Sequence, residues 1–173
     1  MADLNLRAAF FPTYRADPQS YWLGLGLIAL IDAVRLSLTD GSGMLPWLLV
    51  VFFTACININ RLRDAGRQGP LAIIPVGAGV AAKSVTALFA SAFIAMETFL
   101  SQQGVDTADS SAVMAAISQP DFQTQYQRHL ETNPDALAAA LTDAAWISTW
   151  AYWLAVAGVG LWFARLRNRP QSV

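Results

Sequence analysis

Asp32, Arg35 and Lys83 are ionisable residues that fall inside otherwise apolar runs. A charge at the centre of a bilayer costs about 2.5–3.5 kcal/mol on insertion scales, so such residues pair with one another or mark an ion path. Asp32 and Arg35 are three apart, which makes them neighbours on one helix face. Asp32 lies 11 residues beyond Tyr21 and Lys83 lies 12 beyond Leu71. At about 1.5 Å per residue, both sit roughly 16–18 Å from the same membrane face. The spacing therefore predicts one cluster of Asp32, Arg35 and Lys83. Its chemistry is either a charge lock between the first and third helices or a proton or ion relay, and a relay usually needs a second buried carboxylate or a His.

The densest polar run holds Asn58, Asn60, Arg61, Arg63, Asp64, Gly66, Arg67 and Gly69. It reads as a helix leaving the membrane and turning, with Gly66 and Gly69 supplying positive φ and Pro70 suited to the first turn of the next helix. One role is a hairpin fixed by Asp64 bonding to Arg or to backbone donors, with spare arginines on lipid phosphate. The other is a phosphate-binding or partner-docking loop. Trp146, Trp150 and Trp153, spaced i, i+4 and i+7, form one stripe. They serve either as an interfacial belt or as a partner, lipid or pigment contact, a quinone or carotenoid included.

No catalytic constellation and no metal site is expected. There is no GxSxG elbow, no phosphate loop ending in Gly-Lys-Ser or Gly-Lys-Thr and no HExxH. Cys56, the single cysteine, lies in an apolar run and supports neither a disulfide nor a thiolate cluster. His129 stands alone in an acidic segment. A net charge of −1, with no basic patch, excludes a nucleic-acid partner. The Gly-Leu-Gly at Gly24 and the Gly-Val-Gly at Gly158 imply close packing only.

The elements that must position these residues follow from composition. With 55% hydrophobic and 13% charged residues, gathered into long runs, the chain reads as an all-α integral membrane protein. A span needs about 20 apolar residues. Residues 21–38, 45–59, 71–100 and 146–164 meet or approach this, giving four transmembrane helices. The second starts at Pro46 beside Trp47, and the third must tilt, kink near Lys83 or project from the lipid. Small residues four apart in it, such as Ala87, Ser91 and Ala95, permit close helix approach. The N-terminal stretch lacks an apolar core followed by a small-residue cleavage site, so it is not expected to be a signal peptide.

Arg7 and Arg15, then Arg61, Arg63 and Arg67, then Arg165, Arg167 and Arg169 fall on one side of this plan. That side is expected to be the cytoplasm, with both termini in it. Residues 101–143 carry Asp106, Asp109, Asp121, Glu131, Asp135 and Asp143 against Arg128 alone, and fall outside. About 43 residues are too many for a structureless loop. Helices are expected at 110–118, 121–131 and 135–145, with Asn133 and Pro134 at the start of the last, which runs straight into the fourth span. The organisation is thus a three-span core over 1–100, an acidic helical periplasmic insertion over 101–143, and a fourth span with a basic tail over 144–173.

The run from Asn60 to Pro70 resembles the hallmark of domain-of-unknown-function family 805, the YhaH-like proteins, which reads Arg-Arg-Leu-His-Asp-Thr-Gly-Arg-Ser-Gly-Trp. Arg61, Leu62, Asp64, Gly66, Arg67 and Gly69 fit it in order and spacing. The approach to the first span, with its arginine and Tyr21-Trp22, is similar too, so the resemblance covers roughly the first half of the chain. Arg63 replaces the family histidine, which removes any imidazole chemistry there, and Pro70 stands where a tryptophan is usual. The resemblance implies a membrane fold in a bacterial inner membrane and supplies no reaction. The leading expectation is a non-catalytic accessory or scaffold subunit of a larger inner-membrane complex, with membrane lipids and other integral subunits as partners. Respiratory and photosynthetic hosts both fit. The alternatives are a small ion- or proton-coupled transporter using Asp32 and Lys83, and an enzyme acting on lipid headgroups through Arg61, Arg63, Asp64 and Arg67.

Overall fold

A computed structural model describes residues 6–39 and 43–166; Arg167 and Arg169 lie outside the described residues. Among the described residues every regular element is helical. A 3₁₀ turn at Leu6–Ala9 precedes α1 (Pro18–Thr39) and α2 (Met44–Asp64), and a second at Gly69–Ala72 leads into α3 (Ile73–Gln102). Three short helices follow, α4 (Ser110–Ile117), α5 (Phe122–Thr132) and α6 (Pro134–Asp143), and then α7 (Ala145–Ala164). Four stretches, Pro18–Thr39, Met44–Asp64, Gly69–Gln102 and Ala145–Ala164, are long and apolar enough to cross a membrane.

Each of the four is longer than its apolar run, and in α1 capping chemistry accounts for the extension. Asp17 accepts from the backbone N–H of Ser20 at 2.6 Å and Pro18 takes the first helical position, so α1 opens three residues before Tyr21. At its far end α2 carries helix through Asn58, Asn60, Arg61, Arg63 and Asp64 instead of stopping near Ile59. The hydrogen-bonded turns of α3 continue without interruption past Lys83. At about 1.5 Å per residue, its 30 residues span about 45 Å, well beyond a hydrocarbon core about 30 Å thick.

The chain divides into two compact units, Met1–Lys83 with Thr149–Val173, and Ser84–Ser148. The core of the first joins Tyr21, Leu25 and Ile28 of α1, Ile57 and Leu62 of α2, and Tyr152, Val156 and Phe163 of α7. Glycines set its tightest approaches. A Cβ built at Gly24 would meet Ile57 at 2.8 Å, one at Gly160 would meet the Tyr21 hydroxyl at 2.8 Å, and one at Gly79 would meet Val156 and Tyr152 at 2.7 and 2.8 Å. Gly26 and Gly158, by contrast, face open space.

The second unit begins inside α3, not at residue 101, because Met96, Phe99 and Leu100 supply its core. The Phe99 ring meets Phe122 at 5.9 Å and Tyr126 at 5.4 Å, and Ala116 completes the cluster. Asp109 caps α4 by accepting from the Ser111 hydroxyl and backbone N–H, and these bonds hold its carboxyl below the ordinary carboxylate range. Pro134 opens α6 as expected, but the Asn133 side chain bonds backwards, donating to the His129 carbonyl at 3.0 Å. The last helix of this segment does not run unbroken into the fourth span. Ala144, at φ −74° and ψ −7°, forms a turn between α6 and α7.

Gly79→Leu should destabilise the protein by about 1–3 kcal/mol, because the added atoms collide with Tyr152 and Val156 in a packed interface. Gly77→Ala, with nothing within 4 Å of the added Cβ, should leave stability equal or higher. Thermal unfolding in detergent, followed by tryptophan fluorescence, compares the two. Equal midpoints would show that α3 does not pack on α7 at Gly79.

Candidate functional site

The polar end of α2 is a hub. Leaving a helix there requires the last carbonyls to find donors. Gly66 adopts φ 68°, the N–H of Arg67 bonds to Leu62 at 2.8 Å, and the N–H of Gly66 bonds to Arg63 at 3.1 Å. These two bonds define a Schellman helix end with Gly66 at the left-handed position. Gly69 contributes differently from expectation. It opens the 3₁₀ turn beside Pro70, without positive φ.

Side chains of these turns reach three different segments. Asn58 accepts from the Tyr21 hydroxyl of α1 at 3.0 Å while donating to Thr54 at 2.7 Å. Asn60 donates to the carbonyls of Ala8 and Phe11, at 2.8 and 2.6 Å, and Arg63 donates to that of Pro12. Arg61, fully buried, reaches α7. Its Nε donates to the Phe163 carbonyl at 3.2 Å, its Nη2 to the carbonyls of Ala164 and Leu166, and its Nη1 to Asp64 at 2.9 Å.

One guanidinium therefore satisfies carbonyls at the C-terminus of α7, where the helix dipole also favours a cation. Asp64 does bond to an arginine of the hairpin, but Arg61 is no spare cation for lipid phosphate: its charge is committed inside the protein. Arg67 is exposed and walls a small cleft of about 150 Å³ with Leu62, Leu71, Trp162 and Leu166.

The intramembrane residues also come together, with α7 between them. Asp32, only 1% exposed, accepts from Arg35 Nε at 2.8 Å and from Trp153 Nε1 at 3.0 Å. Lys83 donates to Thr149 at 2.7 Å, and both Asp32 and Arg35 act on it electrostatically. Thr149 and Trp153 are four apart on one face of α7, so the lock expected from the first helix to the third runs through the fourth.

Trp146 and Trp150 are exposed, whereas Trp153 is half-buried and spends its indole N–H on Asp32. The stripe is thereby split. Trp150 and Trp153, together with Ala157 of α7 and Trp22, Gly26 and Ala29 of α1, line an apolar groove of about 270 Å³. Trp146 is not part of it. Tyr21, Trp22 and Thr149 are the participants that sequence reasoning missed. A hydroxyl at i−4 from Trp153 was the one visible signal for Thr149.

Replacing Arg61 by Met should cost about 3–5 kcal/mol, since Asp64 and the end of α7 lose their buried donor together. Arg61→Lys keeps the charge without the planar fork and should fall between Met and wild type. Exposed Arg67→Gln should leave the unfolding midpoint in detergent unchanged. A wild-type midpoint for Arg61→Met would rule out the clamp. Compared with protein-family models, curated proteins and solved structures, the chain gives no match.

Proposed function

We propose that this chain is a non-catalytic accessory subunit of a larger assembly in a bacterial inner membrane, and that its acidic segment between α3 and α7 is the docking element. The observation that carries this reading is the separate core of that segment. Phe99, Leu100, Ala116 and Phe122 bury one another there, and the unit built on them leaves Asp106, Asp109, Asp121, Glu131, Asp135 and Asp143 all exposed. A connection between two spans needs only a few residues. A folded unit whose surface carries a strong excess of negative charge gives steering and selectivity toward a basic partner surface. The residues that looked most like chemistry fit the same reading, since Arg61, Asp64, Asn58 and Asn60 all serve to hold helices and termini together.

In this reading both termini and the α2–α3 turn are cytoplasmic, because the arginines gather there, and the acidic unit is periplasmic. A reporter fused after Gly104 should read external, and a cytoplasmic signal would reverse the topology.

Mild-detergent or nanodisc purification of tagged protein from its native membrane should recover reproducible partners at fixed stoichiometry. The combined change Asp121→Asn, Glu131→Gln and Asp143→Asn should lose most of that recovery, while the purified variant keeps its helical circular dichroism. Recovery of the wild-type protein only as a lone monomer would refute the accessory role. Undiminished recovery by the neutralised variant would refute the acidic surface as the docking element.

A further inference from the structure

We propose that the cleft at the shared end of α2, α3 and α7 holds one anionic phospholipid of the adjoining leaflet, with its phosphate on Arg67 and the upper part of an acyl chain against Leu71 and Trp162. Placement, an uncommitted cation and local charge carry this inference.

The cleft, about 150 Å³, is walled by Leu62, Leu71, Trp162 and Leu166, and Arg67 is the one charged residue in its wall. Its depth follows from the span ends. Arg67 falls between Asp64, where one apolar stretch ends, and Gly69, where the next begins, while a third ends at Ala164. Leu62, Leu71 and Trp162 each lie two residues inside those ends, about 3–4 Å along a helix, whereas Arg67 and Leu166 lie outside them. The cation is therefore at headgroup level and the apolar wall just below it, whichever face of the membrane this end occupies. Farther in, Ile74 is one turn on from Leu71 and Gly158 one turn back from Trp162, and both are exposed. An acyl chain that enters at the cleft can thus continue inward along the outside of the helices. Phosphate, cleft and chain follow one direction, from the surface toward the middle of a single leaflet.

The cation itself is uncommitted. Arg67 is exposed, and its backbone is fixed by the bond from its N–H to Leu62 at 2.8 Å, inside the Schellman turn at Gly66. Asp64, three residues earlier, is taken by Arg61. Among the described residues no carboxylate pairs with Arg67. A planar guanidinium on a fixed turn, with no carboxylate to satisfy, suits the oxygens of a phosphate. Trp162 beside it has the amphipathic ring that settles at the membrane interface.

Local charge adds selectivity. Arg165 is a second exposed cation at this rim, next to Leu166 of the wall, and its N–H bonds back to Trp162 at 3.2 Å. Two cations at headgroup level favour a lipid of net negative charge over a zwitterionic one.

Delipidated full-length protein is titrated with phosphatidylglycerol or with phosphatidylcholine, and bound lipid is counted by native mass spectrometry. The expected result is one phosphatidylglycerol retained per chain, preferred over phosphatidylcholine by about fivefold or more. Arg67→Gln should erase most of that preference, and Arg67→Lys should restore part of it. Trp162→Ala, which opens the wall without touching a charge, should also lower retention of phosphatidylglycerol. Arg15→Gln removes an exposed cation from the same end, where its neighbour Ala16 bonds to Asn60, but Arg15 does not line the cleft, so retention should hold. Should Trp162→Ala fail to fold, the exposed Arg67 and Arg15 variants still decide. Equal retention of the two lipids by the wild type overturns the proposal, and so does a loss in Arg15→Gln as large as that in Arg67→Gln, which would mean diffuse attraction. Inorganic phosphate, added at equal concentration, should leave the bound phosphatidylglycerol in place. Displacement by phosphate would mean a simple anion site, and the phospholipid assignment would fall.

Discussion

The buried guanidinium of Arg61 is the interaction on which the first unit depends. A helix that ends against another helix leaves its last carbonyls in need of donors. Here α7 ends against α2, and Arg61 answers the carbonyls of Phe163, Ala164 and Leu166 at once. This is possible because α2 remains helical through Asp64, which places Asp64 one turn beyond Arg61 to balance its charge. The turn after α2 is sharp. A Schellman end at Gly66 stops the helix within two residues of Asp64.

From that hub the remaining contacts follow in order. Asn60 and Arg63 draw the N-terminal segment onto α2, and Asn58 receives the Tyr21 hydroxyl. Tyr21 in turn lies where Gly160 of α7 has no side chain, so α1, α2 and α7 meet around one aromatic ring. Farther along, α3 joins the same group through Gly79 against Tyr152 and Val156 and through Lys83 on Thr149. α7 is therefore the common member, although its sequence carries no charged residue to reveal these contacts.

What could be read beforehand and what could not divides by the range of the interaction. The four apolar helices, the short helices between the third and fourth, the Asp32–Arg35 pair and the Arg61–Asp64 pair all rest on spacings of a few residues, and all are present. Span ends were misplaced wherever polar residues remained helical: a hydropathy run stops at Ile59, but backbone hydrogen bonding continues to Asp64. The destinations of the long side chains were hidden. Nothing near Arg61 in the chain says that its partners lie more than a hundred residues away, and an interfacial arginine is the ordinary expectation for such a position.

Trp153 shows the same limit from the other side. Its spacing with Trp146 and Trp150 is that of an interfacial belt, and two of the three residues are indeed exposed. Yet a buried carboxylate needs two or three donors, and Arg35 supplies only one to Asp32. In hydrocarbon there is no water to supply another, so some side chain of a neighbouring helix must do so. The donor therefore had to exist, even though the sequence did not name it. An indole N–H meets the requirement at the least cost in desolvation, and this separates Trp153 from the other two members of its stripe.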